Sequence, residues 1–120
     1  RLKDDIKGLD ERYIRFIELL IPKSFYSIYD DKETRKRRIG YIAQEVEEAA
    51  LAVGLTLEDC NFLHKEWVER EDYTGIEYSL NYDDIAVIVH GKVRQQEERI
   101  NALESEVAEL KELVSKLIAQ

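Results

Sequence analysis

The 120-residue chain contains one cysteine, one proline, two histidines and no methionine. Because Cys60 has no second cysteine to pair with, the sequence excludes an intrachain disulfide and a cysteine-based zinc site. His64 and His90 lie far apart and lack ligand spacing with any carboxylate pair, so we expect no metal site. The five glycines are scattered and form no phosphate-binding loop, and we therefore expect no cofactor.

Long apolar runs and an excess of positive charge are also missing. Every apolar run is far shorter than the roughly 20 residues that a membrane span needs. The net charge is −8, and binding to a polyanion depends mainly on neutralising its phosphates. We therefore predict neither a membrane nor nucleic acid as a partner.

One basic cluster interrupts this acidic composition. It comprises Lys32, Arg35, Lys36, Arg37 and Arg38. Taken alone, such a cluster is compatible with a phosphate-rich surface. Because Glu33 interrupts it and the rest of the chain is acidic, a solvated hairpin tip or a contact for an acidic partner is the favoured interpretation.

Hydrophobic periodicity predicts an α+β chain of three helices and four short strands. We expect helices at 10–21, 43–53 and 82–119, and strands at 24–29, 39–42, 61–69 and 75–80. Pro22 is expected to end the first helix and Gly54 the second. The first two strands are expected to form a hairpin. Trp67 and the seven tyrosines are expected in the core or in interfaces, and Cys60 as a small buried or half-buried side chain.

The predicted organisation is a small globular body at residues 1–81 and a long helix at 82–120, together forming one functional domain. Apolar residues make up 44% and charged residues 37% of the chain, which is typical of a folded domain. A body of about 80–90 residues buries only a limited core. Oligomerisation through the helix would supply the missing burial.

A heptad repeat fills the C-terminal quarter. Position a is occupied by Val93, Ile100, Val107 and Val114, and position d by Gln96, Leu103, Leu110 and Leu117. Seven of these eight positions are apolar, which is typical of a coiled coil. A glutamine at one d position lowers stability but fixes the register of the helices.

The residues beside this repeat indicate how the helices associate. Position g of one heptad and position e of the following heptad give the pairs Lys92–Glu97, Arg99–Glu104, Glu106–Lys111 and Leu113–Ile118. Three of these pairs carry opposite charges, as expected between parallel, in-register copies of one chain. β-branched residues at a with leucine at d favour two strands, whereas the wider apolar stripe near the end suits three. The heptads alone leave both numbers open.

Three sequence blocks resemble one protein family. The blocks are Arg1-Leu2-Lys3, the segment Gly40-Tyr41-Ile42-Ala43-Gln44-Glu45-Val46, and a tyrosine-containing start of the final helix. In this order they resemble the C-terminal intramolecular chaperone domain of phage tail spikes, tail fibres and neck appendages, assigned to peptidase family S74. The resemblance spans nearly all of the chain and implies a small mixed helix/β-hairpin body followed by a parallel trimeric coiled coil.

The resemblance also implies a self-cleavage site. A serine just upstream of the Arg-Leu-Lys block would be nucleophile and cleavage point, and Lys3 its activating base. A lysine serves as a base only when burial depresses its pKa, and the flanking Asp4 and Asp5 favour the charged ammonium unless they point away. No serine of this chain occupies the motif position, so we expect the chain itself to be inactive. Gln44 and Glu45 match the family block, and their local interpretation is the first turn of a helix.

The implied function is an intramolecular chaperone that trimerises and registers an upstream phage fibre. A single-turnover serine autoproteolysis just before this segment would release it, in the host cytoplasm during phage assembly. A chain that starts at Arg1 without methionine is expected to be a fragment or a processed product. The alternative is a purely structural homo-oligomerisation module without proteolysis. A third interpretation is a DNA-binding factor with a coiled-coil end, as in animal membrane-anchored transcription factors with a related domain.

Overall fold

A computed structural model describes residues 2–120 of the chain. The elements are α1 (Glu11–Leu19), β1 (Lys23–Phe25), β2 (Arg38–Gly40), α2 (Ala43–Ala52), a 3-10 turn (Leu57–Asp59), β3 (Leu63–Glu69), β4 (Thr74–Leu80) and α3 (Tyr82–Ile118). The molecule is elongated and measures 82 × 44 × 29 Å. The predicted α+β architecture with a long C-terminal helix is confirmed.

Helix α1 begins at a side-chain cap and ends earlier than predicted. The carboxylate of Asp10 accepts the backbone N–H of Arg12 at 2.8 Å, which satisfies one free donor of the first turn. The backbone of Leu20 is already extended, with ψ 137°. Because Pro22 lacks an N–H and restricts the residue before it, no helical turn continues to Ile21. The predicted end at residue 21 was therefore wrong by two residues.

The four strands form two separate antiparallel hairpins, β1–β2 and β3–β4. The predicted first hairpin is confirmed, although β1 ends at Phe25 because the N–H of Asp30 bonds to the carbonyl of Ser27 and starts a turn. In the second hairpin, Trp67 pairs with Ile76 across the strands. Trp67 is 64% exposed, so it lies outside the core of the single chain, and its expected place in an interface stays a prediction.

Helix α2 ends as the sequence predicts. Gly54 has a φ of +84°, a left-handed conformation that glycine adopts without steric cost. The N–H of the next residue, Leu55, returns to the carbonyl of Ala50 at 2.9 Å. The chain thereby reverses and places the side chain of Leu55 in the core, where it is buried.

The core lies where α1, α2, the start of β3 and the first turns of α3 meet. Phe16 and Phe62 stack there with ring centroids 5.0 Å apart. Helix α3 contributes Ile85 and Ile88. Cys60 is fully buried, which confirms the prediction of a small buried side chain. The globular body therefore packs only against the beginning of α3.

Candidate functional site

The predicted heptad seam is a continuous, exposed apolar stripe on α3. Every residue from Val93 to Gln120 is exposed. The apolar seam side chains are 40–69% exposed, and they are Val93, Ile100, Leu103, Val107, Leu110, Val114 and Leu117. Gln96, the polar seam position, is exposed as well. A contiguous apolar surface of this kind marks an interaction site.

The length of α3 makes this stripe a protruding surface. The helix has 37 residues, which corresponds to about 55 Å at 1.5 Å per residue. Its N-terminus is fixed by Asn81, whose side-chain oxygen accepts the N–H of Asp83 at 3.0 Å. Because helical stability in proteins comes mainly from packing of an amphipathic face, the distal half of α3 needs a partner.

The charged residues beside the seam are mostly free for such a partner. Within residues 2–120, Arg99, Glu104, Glu106 and Lys111 form no ion pair. Lys92 differs, since its ammonium contacts Glu18 of the same chain at 2.8 Å. Two of the three predicted charged pairs therefore have both members available, and the first has an intrachain competitor.

The mid-chain motif touches the start of α3. Gly40 is buried, and a Cβ there would overlap the hydroxyl of Tyr82 and approach its ring carbon Cζ to 3.2 Å. The N–H of Tyr41 donates to the same hydroxyl at 3.3 Å. The glycine is therefore required by the close approach of Tyr82. Sequence reasoning missed this contact, although a glycine inside a predicted strand, where no turn needs it, was the available signal.

Gln44 and Glu45 lie in the first turn of α2, as predicted. The carboxylate of Glu45 contacts the ammonium of Lys23 at 2.7 Å, and its negative charge complements the helix N-terminus. Gln44 is exposed. This arrangement fixes α2 against β1 and accounts locally for Glu45.

Lys3 lies in the exposed segment before α1. The carboxylate of Asp4 accepts the N–H of Asp5 at 2.9 Å, and the carboxylate of Asp5 pairs with Lys7 at 3.3 Å. Within residues 2–120, neither carboxylate forms an ion pair with Lys3.

The three predicted site residues are not joined in the single chain. No hydrogen bond in the described part of the chain links Lys3 with Gln44 or Glu45. Residue 1 lies outside the described residues, and with it the first position of the Arg-Leu-Lys block. Lys3 therefore has the chemical type of an activating base without the burial that this role requires.

The basic cluster lies on the connection between β1 and β2, which confirms the hairpin-tip interpretation. The guanidinium carbons of Arg35 and Arg37 lie 4.0 and 4.9 Å from the centroid of the Tyr26 ring. Cation–π contacts of this kind hold the charges in place. Ile28 at the tip is 89% exposed. The connection, residues 26–37, together with Arg38 at the start of β2, is therefore a basic arm with an exposed apolar residue.

The titratable groups with shifted pKa values have structural roles. The backbone N–H and hydroxyl of Thr56 donate to the carboxylate of Asp59 and lower its pKa. Hydrogen bonds from Arg12 likewise lower the pKa of Asp10. Burial raises the pKa of Tyr13, whose hydroxyl donates to the carbonyl of Asp59 at 2.6 Å. These bonds fix the turn between α2 and β3 against α1.

Two further searches concern sites of other kinds. Among residues 2–120, no group of three or more histidine, cysteine or acidic side chains is arranged to hold a metal ion. Nor does any helix in this described range combine the length and apolarity needed to cross a membrane.

Comparison with protein-family models gives a match to the first part of the chain. The family model Peptidase_S74, described as chaperone of endosialidase, matches residues 1–55. This range contains Lys3 and the segment from Gly40 to Val46. No match was found among curated protein sequences.

Two solved structures share the fold. One, named as the crystal structure of a novel intramolecular chaperone, is 19% identical with a TM-score of 0.69, and the match covers 82% of this chain and 98% of that one. The other is the C-terminal domain of the bacteriophage T5 L-shaped tail fibre with its intramolecular chaperone domain. It is 16% identical with a TM-score of 0.54, over 89% of this chain and 30% of that one. Over its first 55 residues the chain is similar to the Peptidase_S74 family, described as chaperone of endosialidase.

Proposed function

We propose that this chain is the intramolecular chaperone of a phage tail or appendage fibre, that it joins three copies of the fibre in register, and that autoproteolysis then releases it. The family match and the two neighbouring folds support the chaperone assignment. The observation that carries the proposal is the exposed apolar seam of α3, from Val93 to Leu117. A fold that leaves this seam in water requires other copies to cover it.

The assembly proposed is a parallel homotrimer. Side-by-side packing of identical helices buries the seam, and each fully buried leucine contributes about 1.5–3 kcal/mol. Parallel packing also brings Arg99 against Glu104, and Glu106 against Lys111, of neighbouring copies. An antiparallel arrangement would lose this match between positions g and e. The wider stripe at Leu113 and Ile118 suits three helices, and the resemblance to phage fibre chaperones decides the proposal for three over two.

Trimerisation at one end of a chain promotes assembly of everything attached to it. Joining three chains at their C-termini makes the pairing of the upstream segments effectively intramolecular, at effective concentrations of about millimolar. Once the chaperone is removed, the fibre would persist through a high barrier to unfolding, which is kinetic stability. This sequence of events belongs to virion assembly in the infected cell.

The release step follows serine chemistry in the precursor. The neutral amine of Lys3 takes the proton of the upstream serine hydroxyl, whose oxygen attacks the carbonyl carbon of the scissile peptide. The C–N bond breaks, the leaving amine takes the proton back from the lysine, and water hydrolyses the ester. Burial by neighbouring copies favours the neutral amine, so cleavage would depend on assembly. The exposed position of Lys3 in the single chain agrees with an inactive isolated domain, because an activating lysine has to be buried.

The basic arm is proposed to contact the attached fibre. Its positive charges are ordered around Tyr26, and its apolar tip residue Ile28 is exposed. An acidic, partly apolar surface on the upstream stalk fits this arm by charge.

Extending the chain at its N-terminus with the natural upstream residues tests the release step. The precursor with the native Lys3 should cleave itself to a product of this size, and Lys3→Ala should abolish the cleavage. Lys7→Ala is the matched control, because Lys7 lies in the same exposed segment and should be dispensable. A precursor that stays intact with native Lys3 overturns autoproteolysis and leaves the second candidate, a structural oligomerisation module. That second candidate needs only the exposed seam of α3.

A further inference from the structure

The first turns of α3 pack against the body with one side and expose an apolar side to solvent. Continuing the heptad positions backwards from Val93 places Val89 at d, Ala86 at a and Tyr82 at d. Val89 is 38% and Tyr82 45% exposed, and Ala86 is exposed as well. The seven-residue spacing of small and apolar side chains therefore continues, without a change of phase, to the first residue of the helix.

The body covers a different side of this helix. Ile85 and Ile88 are 2% and 4% exposed and lie in the core. At Gly91, a Cβ would come within 2.8 Å of the side chain of Leu9 and 3.3 Å of that of Ile14. Ile88 and Gly91 occupy positions c and f, which lie away from a and d in a coiled coil, and Ile85 occupies position g, which borders d.

Helix α1 also approaches from the covered side. Lys92 bonds to Glu18 at 2.8 Å, and the amide of Gln95 donates to Glu11 at 2.9 Å. Lys92 and Gln95 occupy positions g and c. The polar contacts between α1 and α3 therefore lie on the covered side and leave the side of Val89 and Ala86 open.

We propose that the interface between copies of this chain continues from Val93 through Val89 and Ala86 to Tyr82, so that the bodies as well as the distal helices meet around the axis. The occupant is the same surface of a second copy, since an uninterrupted heptad packs against its own equivalent in a parallel assembly. The inference rests on the proposed parallel association of α3 and extends the contact by two heptads.

The extended interface reaches the family motif. Tyr82 lies on it, and the hydroxyl of Tyr82 contacts Gly40 and accepts the N–H of Tyr41. Helix α2, which carries Glu45, begins only three residues after Gly40. The proposed interface and the family motif therefore share the side chain of Tyr82.

Cysteine cross-linking tests the extended interface. A disulfide forms only when the two Cα atoms lie within about 4.4–6.8 Å of one another. Val89→Cys in the full chain should therefore cross-link copies under mild oxidation. Up to about two thirds of the chains should run as dimers on a non-reducing gel, because three single cysteines form one disulfide. The native Cys60 is 1% exposed and does not contribute.

Two further variants make the outcome decisive. Val87→Cys is the matched control, because Val87 is 64% exposed and lies roughly 160° around the helix from Val89. Leu110→Cys reports the distal seam. Cross-linking of Val89→Cys and Leu110→Cys without Val87→Cys supports the inference. Cross-linking of Leu110→Cys alone overturns it and leaves the proposed assembly intact, whereas no cross-linking at Leu110 overturns the assembly itself. Equal cross-linking at Val87 and Val89 also overturns the inference.

Discussion

The first turns of α3 and the part from Val93 onward differ in what covers their apolar side chains. In the first turns, Ile85 and Ile88 are almost fully buried by the chain itself. From Val93 onward every residue is exposed, although apolar residues recur as regularly as before. The same helix therefore contributes to a core that one chain completes and carries a seam that one chain leaves exposed to solvent. Stability of the body and association of the copies should respond to different substitutions.

The largest effect is expected from shortening two seam leucines. Leu103→Ala with Leu110→Ala removes side chains that the assembly buries, at a cost of roughly 2–5 kcal/mol per leucine. The oligomer should melt at a lower temperature and dissociate at micromolar concentration, as followed by circular dichroism and sedimentation. Glu98→Ala with Glu109→Ala is the matched control, because both residues lie on the same helix outside the seam. An unchanged melting temperature for the leucine variant would mean that the seam stays in water.

A core substitution should act on the other part of the molecule. Phe16→Ala removes the ring that stacks on Phe62 at 5.0 Å and should cost the body about 3–5 kcal/mol. Hydrogen exchange should then accelerate in α2, while amides of α3 beyond Val93 keep their protection. Equal loss of protection in both would show one cooperative unit and remove the distinction between them.

A substitution at the contact between Gly40 and Tyr82 should have a smaller effect, which a second substitution should partly restore. Gly40→Ala places a Cβ against the hydroxyl of Tyr82 and should cost about 1–3 kcal/mol through overpacking. Tyr82→Phe removes that hydroxyl and should recover part of the loss in a double-mutant cycle measured by urea unfolding. Additive effects of the two substitutions would contradict the contact.

The smallest effect concerns acid stability of the body. The pKa of Asp59 is lowered by hydrogen bonds from Thr56, and that of Asp10 by Arg12. A carboxyl group whose pKa is lowered in the folded state stabilises the fold at pH values above its unfolded pKa of about 3.9. This stabilisation disappears as the pH falls through the lowered pKa of the folded state.

Asp59→Asn should therefore reduce the decrease in folding stability that occurs as the pH falls below about 4. The measurement is the urea midpoint as a function of pH. Asp72→Asn is the control, since the carboxylate of Asp72 accepts no hydrogen bond from the described residues. An equal response of both variants would sink the role assigned to the Thr56–Asp59 bonds.

Local patterns predicted the elements better than the contacts between them. Periodicity located all three helices, and Gly54 marked the end of α2, because these features depend on neighbouring residues. The end of β1 was missed, since the turn at Ser27 and Asp30 interrupts an apolar run. The contact of Gly40 with Tyr82 joins residues 42 positions apart, which no local pattern encodes. Trp67 lies outside the core of the single chain because a two-stranded hairpin leaves one face open.

The candidate site was predictable only as a set of residue types. The seam residues follow from the heptad alone, and their exposure in the single chain agrees with that pattern. The role of Lys3 depends on a serine before Arg1 and on burial by other copies.

The mass of the isolated chain in solution tests the central claim most directly. Sedimentation equilibrium at micromolar concentration should give three times the chain mass of 14.1 kDa, because three seams cover one another. A species of 14.1 kDa at that concentration would contradict the account.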